Sequence, residues 1–358
     1  MSRKILYFTR TMGLGGTENV VLQLCELMNK NNKVIVCSCG GVNVEKLTKM
    51  GIKHYIIPDI ENKNLRTIFK TLKILLKVIN KEKIDIVHTH HRMAAFYISC
   101  LKVIKRFTFV NTVHNIFFDK KILTKFSYKK AILIAVGGHV KKNLCSFYGF
   151  SESKVTVIYN AVKPLVMPIN PIEYIEEYRV KNNFLISNIG RLSEQKGMIY
   201  FIKAAQILLK KYDGLKFLIV GDGELKEELE SYIKECNIGD NVILLGYRSD
   251  IQNIMAQVDL VVLSSLWEGF PLTPIEAFSV GKPVVATNIE GTVEIIRDKY
   301  NGLLVEPKNE IDLAKKIEFF IQNPNELKIY GNRAMETYRL NFDIEKFNNS
   351  YIEFYKRC

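Results

Sequence analysis

The chain has 358 residues, 47% hydrophobic and 25% charged. That is the composition of a folded globular protein rather than a disordered or fibrous one, and the length exceeds one ordinary core, so two domains are expected. No apolar run approaches the roughly 20 residues that span a bilayer. The opening "MSRKILYFTRT" reads at once as a strand rather than a secretory leader. Seven dispersed cysteines form no C-x-x-C pair, and the six histidines show no zinc-ligand spacing with them. This argues for reduced thiols in a cytosolic protein and against a metal cluster. The formal charge of +14 is lopsided: residues 1–180 carry 29 Lys and Arg against 12 Asp and Glu, and residues 181–358 carry 22 against 25. A basic half points to an anionic partner (a lipid surface, a phosphorylated acceptor or nucleic acid) or simply to solvated lysine-rich faces.

In chain order, "KILYFTR" predicts a strand, "MGLGGTE" a glycine turn and "ENVVLQLCELMNKN" a helix. The runs "KVIVCSC", "KHYIIP", "DIVHTH", "FVNTVHN" and "AILIAVG" follow as short buried strands spaced by helices. This pattern predicts a parallel sheet covered on both faces, an α/β fold. Among the helices, "NKNLRTIFKTLKILLKVINKEK" (about 63–83) carries a predicted apolar stripe of Leu65, Ile68, Phe69, Leu72, Leu76 and Ile79. Arg66, Lys70, Lys73, Lys77 and Lys81 lie off that stripe. The preferred reading packs the stripe on the core behind a solvated back; the other rests the helix on an anionic membrane. A second basic stretch, "FFDKKILTKFSYKK", follows His114.

The link "VTVIYNAVKPLVMPINP", with Pro164, Pro168 and Pro171, interrupts the alternation and places a domain boundary. The alternation then restarts with "FLISNIG", "KFLIVG", "NVILLG", "LVVLSS", "PVVAT" and "GLLVE". Two doubly wound, Rossmann-like domains, 1–163 and 164–342, facing across a cleft are the expected architecture. The aromatic helix at about 343–358 is expected to pack back on the first. In such sheets ligands bind where loops gather at the strands' carboxyl ends.

Six segments carry candidate chemistry. In "MGLGGTE", Gly13 and Gly15 fit a dinucleotide fingerprint, but Glu18 holds the third glycine's place and no acidic residue ends the next strand, so NAD and a dehydrogenase are rejected. Gly15 and Gly16 still let backbone amides approach a phosphate or sugar. In "SSLWEGFPLTPIEAFSVGKPVVAT", Thr273 fits an N-cap, Pro274 N1 and Glu276 N3, a capping box. Capping alone would account for Glu276. Yet Glu268 and Glu276 bracket a helix start whose amides suit an anion, while carboxylates suit vicinal hydroxyls. In "NIGRLSEQKG", Arg191 and Lys196 follow a strand end, either as a diphosphate clamp or as solvated loop charges. "LIVGDGEL" is a strand–turn–helix in which Gly223 permits close backbone approach and Lys226 replaces the last fingerprint glycine. Of the histidines, His88 and His90 share a strand face and read best as a hydrogen-bonded structural pair; His114 stands alone at another strand end.

Taken in order, "GLGGTE", "DIVHTH", "TVHN", "IGRLSEQKG", "VGDGEL", "LLGYRSD", the Glu268–Glu276 segment and "EGTVEII" resemble the retaining glycosyltransferases of family 4, with their E-x7-E signature and GT-B fold. The resemblance covers nearly the whole chain. It implies a donor site of Gly15, Gly16, Arg191, Lys196, Gly223, Tyr247, Arg248, Glu268, Gly269, Phe270, Pro271, Leu272, Thr273 and Glu276. The diphosphate falls to Arg191 and Lys196, the ribose to Glu276, and the nucleobase to backbone around Tyr247 and Arg248. Glu268 and His114 are implied to orient the sugar, so that His114, Glu268, Arg191 and Lys196 carry the chemistry without a metal or cofactor. The implied donor is a nucleotide-diphospho-sugar, UDP-linked first. The acceptor is a glycan or polyprenyl-linked chain at the inner face of the cytoplasmic membrane, as in bacterial surface polysaccharide synthesis. A nucleic-acid-binding protein using the basic half is the competing class, although no aromatic–basic recognition motif or helix-turn-helix spacing appears.

Overall fold

A computed structural model describes residues 2–165 and 169–358. Its contacts divide the chain into two units, Met1–Asn160 with Phe347–Cys358, and Ala161–Lys346. Pro164 and Pro171 lie in the segment that opens the second unit; Pro168 lies outside the described residues.

The first unit runs β1 (Lys4–Phe8), α1 (Gly16–Met28), β2 (Lys33–Ser38), α2 (Val44–Lys49), β3 (Lys53–Ile56), α3 (Leu65–Glu82) and β4 (Ile86–Thr89). It continues through α4 (Arg92–Leu101), β5 (Thr108–Val113), α5 (Lys121–Tyr128), β6 (Ile132–Ala135), α6 (Gly138–Ser146) and β7 (Val155–Val157). The strands form one sheet in the order β3-β2-β1-β4-β5-β6-β7, and each pair is parallel. The apolar runs read from the sequence are these strands. The inner strands β1, β2, β4 and β5 are almost wholly buried because crossover helices cover both faces of the sheet; β3, expected as a buried strand, lies at the edge with no buried residue and Ile56 exposed. The C-terminal residues of this unit place Tyr351 and Tyr355 in its core: the Tyr355 hydroxyl donates to Tyr7 Oη at 3.0 Å, and Arg3 donates to the Tyr355 carbonyl at 2.6 Å.

The second unit runs α7 (Glu173–Val180), β8 (Phe184–Ile189), α8 (Met198–Leu209), β9 (Leu215–Val220), α9 (Lys226–Glu235), β10 (Val242–Leu244) and α10 (Ile251–Gln257). It then adds β11 (Leu260–Leu263), α11 (Leu272–Ser279), β12 (Val284–Thr287), α12 (Glu290–Val293), β13 (Gly302–Val305), α13 (Glu310–Gln322) and α14 (Pro324–Asn341). A last helix, α15, spans Ile344–Lys356. The strand order is β10-β9-β8-β11-β12-β13, again parallel throughout. Each sheet therefore reverses its winding once, between β1 and β4 in the first unit and between β8 and β11 in the second. At such a reversal, loops from neighbouring strands diverge to opposite faces and leave a crevice.

The stripe predicted on α3 is rotated. Thr71, Leu75, Val78, Ile79 and Glu82 face inward, while Leu65 and Phe69 are 71% and 69% exposed. The buried position taken by Glu82 explains the offset. Its carboxylate accepts from Lys33 Nζ at 2.7 Å and Tyr55 Oη at 2.6 Å, and these bonds hold it down at about 2. A glutamate satisfied in this way counts as a core-facing residue that hydropathy places on the wrong side.

Candidate active site

The reversal in the second unit collects the charged groups. After β8, Gly190–Lys196 turns back over the sheet; after β11, Ser264–Pro271 does the same. The two loops are stapled together: Leu266 N–H donates to the Gln195 carbonyl at 2.7 Å, Ser264 Oγ donates to the Lys196 carbonyl at 3.0 Å, and Asn188 Nδ2 donates to Ser264 Oγ at 2.8 Å. Gly197 sits at φ +56° where a Cβ would run into the Ser264 carbonyl, so only glycine lets the loops close this far. On this frame Lys196 Nζ meets Glu268 Oε1 at 2.6 Å, with side chains only 17% and 8% exposed. Ser265 Oγ donates to the same oxygen at 2.8 Å, and Gln195 Nε2 reaches Oε2 at 3.4 Å. A largely buried ion pair persists only when its remaining lone pairs are satisfied, and Ser265 and Gln195 supply that here. Sequence reading missed both residues. Gly291, in "EGTVEII", backs the loop, since a Cβ there would stand 2.6 Å from the Glu268 carbonyl.

Glu276 is placed differently. The predicted capping box does not form: α11 begins at Leu272 with Pro271 as N-cap, φ −70° and ψ 140°, and no side chain caps it. Thr273 and Pro274 therefore lie in the first turn and Glu276 one turn further in, and Pro271 has no backbone N–H for a capping-box glutamate to receive. The rigid φ of Pro271 matches an extended N-cap, which starts the helix two residues earlier than the Thr–Pro pair suggests. Among the described residues the Glu276 carboxylate carries no hydrogen bond and no ion pair. Burial pushes it up to about 7, against the opposing pull of Lys196. It is half-buried, unpartnered and within the field of Lys196. The uncapped amides of α11 open beside it, with Glu268, Gly269, Phe270 and Pro271 buried in the approaching loop and Thr273 buried in the first turn.

The remaining predicted residues line the neighbouring strand ends. The Arg191 side chain is 73% exposed and pairs with Glu224 at 3.1 Å. Gly223 packs so closely on Leu192 that a Cβ would collide with its backbone, and Leu225 N–H donates to the Leu192 carbonyl at 3.0 Å. This interlocks the loops after β8 and β9. Gly221 N–H donates to the Gly246 carbonyl at 2.9 Å, which brings in the loop after β10. There Tyr247 is exposed, while Arg248 forks onto Asp250 at 2.9 and 2.8 Å.

The first unit's reversal holds different chemistry. Gly15 is the N-cap of α1 and Gly16 its first residue. The Glu18 carboxylate folds back against Gly15 and accepts from Thr11 Oγ1, so an anion approaching these amides meets a carboxylate first. His88 and His90 stack with centroids 4.2 Å apart, yet they do not bond each other as expected. His88 Nδ1 pairs with Tyr355 Oη at 2.6 Å and its Nε2 with Thr112 Oγ1 at 2.7 Å. His90 Nδ1 instead lies 3.0 Å from His114 Nε2. The strand alternation that put His88 and His90 on one face was legible; the pairing across to β5 was not.

Comparisons with known proteins define the family and the fold. The model of "Glycosyltransferase Family 4" matches residues 14–164, and that of "Glycosyl transferases group 1" matches residues 172–337. An Escherichia coli protein, UDP-Gal:alpha-D-GlcNAc-diphosphoundecaprenol alpha-1,3-galactosyltransferase, is 30% identical over 374 aligned positions, covering 95% of this chain and 94% of its own. A Campylobacter jejuni GalNAc-alpha-(1->4)-GalNAc-alpha-(1->3)-diNAcBac-PP-undecaprenol alpha-1,4-N-acetyl-D-galactosaminyltransferase is 25% identical over 98% of this chain and 97% of its own. Among solved structures, Anabaena HepE in complex with UDP-glucose superposes with a TM-score of 0.88 at 22% identity, covering 99% of this chain and all of that one. The fold is therefore GT-B, two Rossmann-like units. The chain belongs to glycosyltransferase family 4 and is a glycosyltransferase.

Proposed function

We propose that this enzyme transfers a hexosyl or N-acetylhexosaminyl group, with retention, from a UDP-sugar to a lipid-linked glycan in bacterial surface-polysaccharide assembly. The observation that carries the donor reading is the unpartnered, half-buried Glu276 carboxylate beside the Lys196–Glu268 pair and the uncapped start of α11. A carboxylate with free lone pairs accepts from two vicinal ribose hydroxyls, and amides with an adjacent cation receive phosphate. Lys196 neutralises the diphosphate as its charge develops on leaving-group departure, the preorganised electrostatic role that dominates such transfers. Arg191 joins it at small cost, because its exposed pair with Glu224 is worth little. These two cations do the work of a metal ion, and none is proposed. Glu268 and His114 orient the sugar. The uridine choice and the diphosphoundecaprenol-type acceptor are supported by the donor and acceptor named for the E. coli relative.

Peripheral contact with an anionic membrane belongs to the same proposal and is supported by α5, which is inside-out. It buries Thr124, Ser127 and Tyr128. Toward solvent it turns Ile122 (87% exposed), Leu123 and Phe126, with Phe118 just before it. Lys120, Lys121, Lys125, Lys129 and Lys130 are exposed around this face. Apolar side chains fringed by lysines match the boundary between acyl chains and anionic headgroups. A second copy of the same face would oppose lysine to lysine. Among the described residues no helix is long and apolar enough to cross a membrane.

Thermal-shift measurements with UDP, GDP, ADP and NAD test the donor class. UDP should give the largest rise in Tm, and stabilisation by none of the three diphosphates would sink the reading. Release of UDP from a panel of UDP-sugars in the presence of polyprenyl-diphosphate acceptors then identifies the sugar.

A further inference from the structure

The imidazole pair in the first unit carries an assignment that hydrogen-bond accounting fixes. His90 is 3% exposed, its Nδ1 is 3.0 Å from His114 Nε2, and its Nε2 is buried without a partner. His114 is half-buried at the end of β5, and its Nδ1 has no protein partner among the described residues. Burial, reinforced by the neighbouring rings, holds both imidazoles well below their ordinary value, His114 at about 3. Near neutral pH both rings are uncharged, so each carries one proton, and a 3.0 Å N···N contact needs a proton between them.

Two arrangements meet that condition. If His114 Nε2–H donates, the single proton of His90 sits on its Nε2, a buried N–H with nothing to receive it. If His90 Nδ1–H donates, its Nε2 is a bare lone pair. Orphaned buried N–H groups are rarer than under-satisfied acceptors, and an unmet buried donor loses its full hydration. The second arrangement prevails. His88 cannot relieve the first, since both its nitrogens are taken by Tyr355 and Thr112.

We propose that His90 is a positioning residue that donates from Nδ1 to His114 Nε2, so that His114 carries its proton on Nδ1 and presents a hydrogen-bond donor, not a base, to a ligand oxygen. This rests on the proposed reading of His114 as a sugar contact and adds its polarity: the group received is a hydroxyl or carbonyl oxygen. His88 packs against the His90 ring, centroids 4.2 Å apart and planes tilted by 33°, and the His90–His114 centroids lie at 5.2 Å with the same tilt. Without His90, His114 Nε2 is free to take the proton, the tautomer free imidazole prefers, and its Nδ1 becomes an acceptor.

Long-range 1H–15N correlation spectra of the full-length, 15N-labelled protein test the tautomer directly. In the wild type His114 should show a protonated Nδ1 and a bare Nε2; the reverse pattern overturns the proposal whatever the activity. His90→Ala should lower kcat about 10-fold, the scale of one lost hydrogen bond, with donor KM within about two-fold. His90→Asn, whose amide N–H stands near the lost Nδ1–H, should restore most of the rate and the His114 tautomer. An unchanged kcat and tautomer in His90→Ala contradicts the proposal, and if that variant fails to fold, the wild-type spectrum and His90→Asn still decide. His114→Ala with undiminished transfer would remove the sugar contact itself while leaving the tautomer assignment to the spectrum, so the two failures are distinguishable.

Discussion

The two units share a strand order and a winding reversal, yet their reversals are furnished with opposite chemistry. In the second, Lys196, Glu268 and Glu276 bring three charges to the loops after β8 and β11 and the helix that follows, two of them paired and one open. In the first, the strand ends of β4 and β5 present His88, His90 and His114, all held neutral by burial, and the Glu18 carboxylate beside the glycine turn accepts from Thr11. One topology thus makes a crevice at a fixed place, and the loop residues decide whether charged or neutral polar groups line it.

That contrast can be broken by removing charge from one side and hydrogen bonds from the other. The largest effect is expected for Lys196→Ala: transfer should fall by about 10²–10³-fold as the leaving diphosphate loses its cation. Stability should fall by about 3–5 kcal/mol, because Glu268 is left largely buried without its partner; steady-state kinetics and denaturant unfolding read the two separately. Next is Glu276→Gln. A carboxyl raised to about 7 binds more protons folded than unfolded, so its contribution to stability is full at acid pH and fades as pH rises through that value. Wild-type Tm should therefore fall more than that of Glu276→Gln between about pH 5 and about pH 8. Donor affinity should move the other way, since only the ionised form accepts from both ribose hydroxyls.

On the neutral side, Tyr355→Phe removes the hydroxyl that meets His88 Nδ1 and donates to Tyr7. It should cost about 1–3 kcal/mol in chemical denaturation, the scale of an unmet buried polar group, with UDP affinity unchanged. The smallest effect is expected for Glu224→Ala, which frees Arg191 from an exposed pair. Stability should move by less than about 0.5 kcal/mol, and donor KM should not rise.

The second unit was the more legible. Its glycines and prolines marked the loops that carry Arg191, Lys196, Gly223, Glu268 and Glu276, while the residues alone left a cap or solvated charges open and the family resemblance singled them out as a donor site. What sequence could not show was pairing across loops: Lys196 onto Glu268, Arg191 onto Glu224, Ser265 and Gln195 around the carboxylate. These contacts are set by how β8 and β11 lie side by side, a long-range fact without local signal. The capping box at Thr273 failed because an extended proline, Pro271, outranked a threonine for the cap. The α3 stripe failed because hydropathy cannot foresee that Tyr55, Lys33 and Lys53 will satisfy a buried Glu82. The expected His88–His90 hydrogen bond failed for the same reason: the partners, Tyr355, Thr112 and His114, lie far away in sequence.

The central claim is that the open carboxylate at the second unit's reversal holds the nucleotide of the donor. Isothermal titration of UDP into wild type and Glu276→Ala tests it most directly, with the unfolding transition measured alongside. Loss of the two ribose hydrogen bonds should weaken Kd about 10-fold or more, with folding intact. Equal affinity in the two folded proteins would contradict the account.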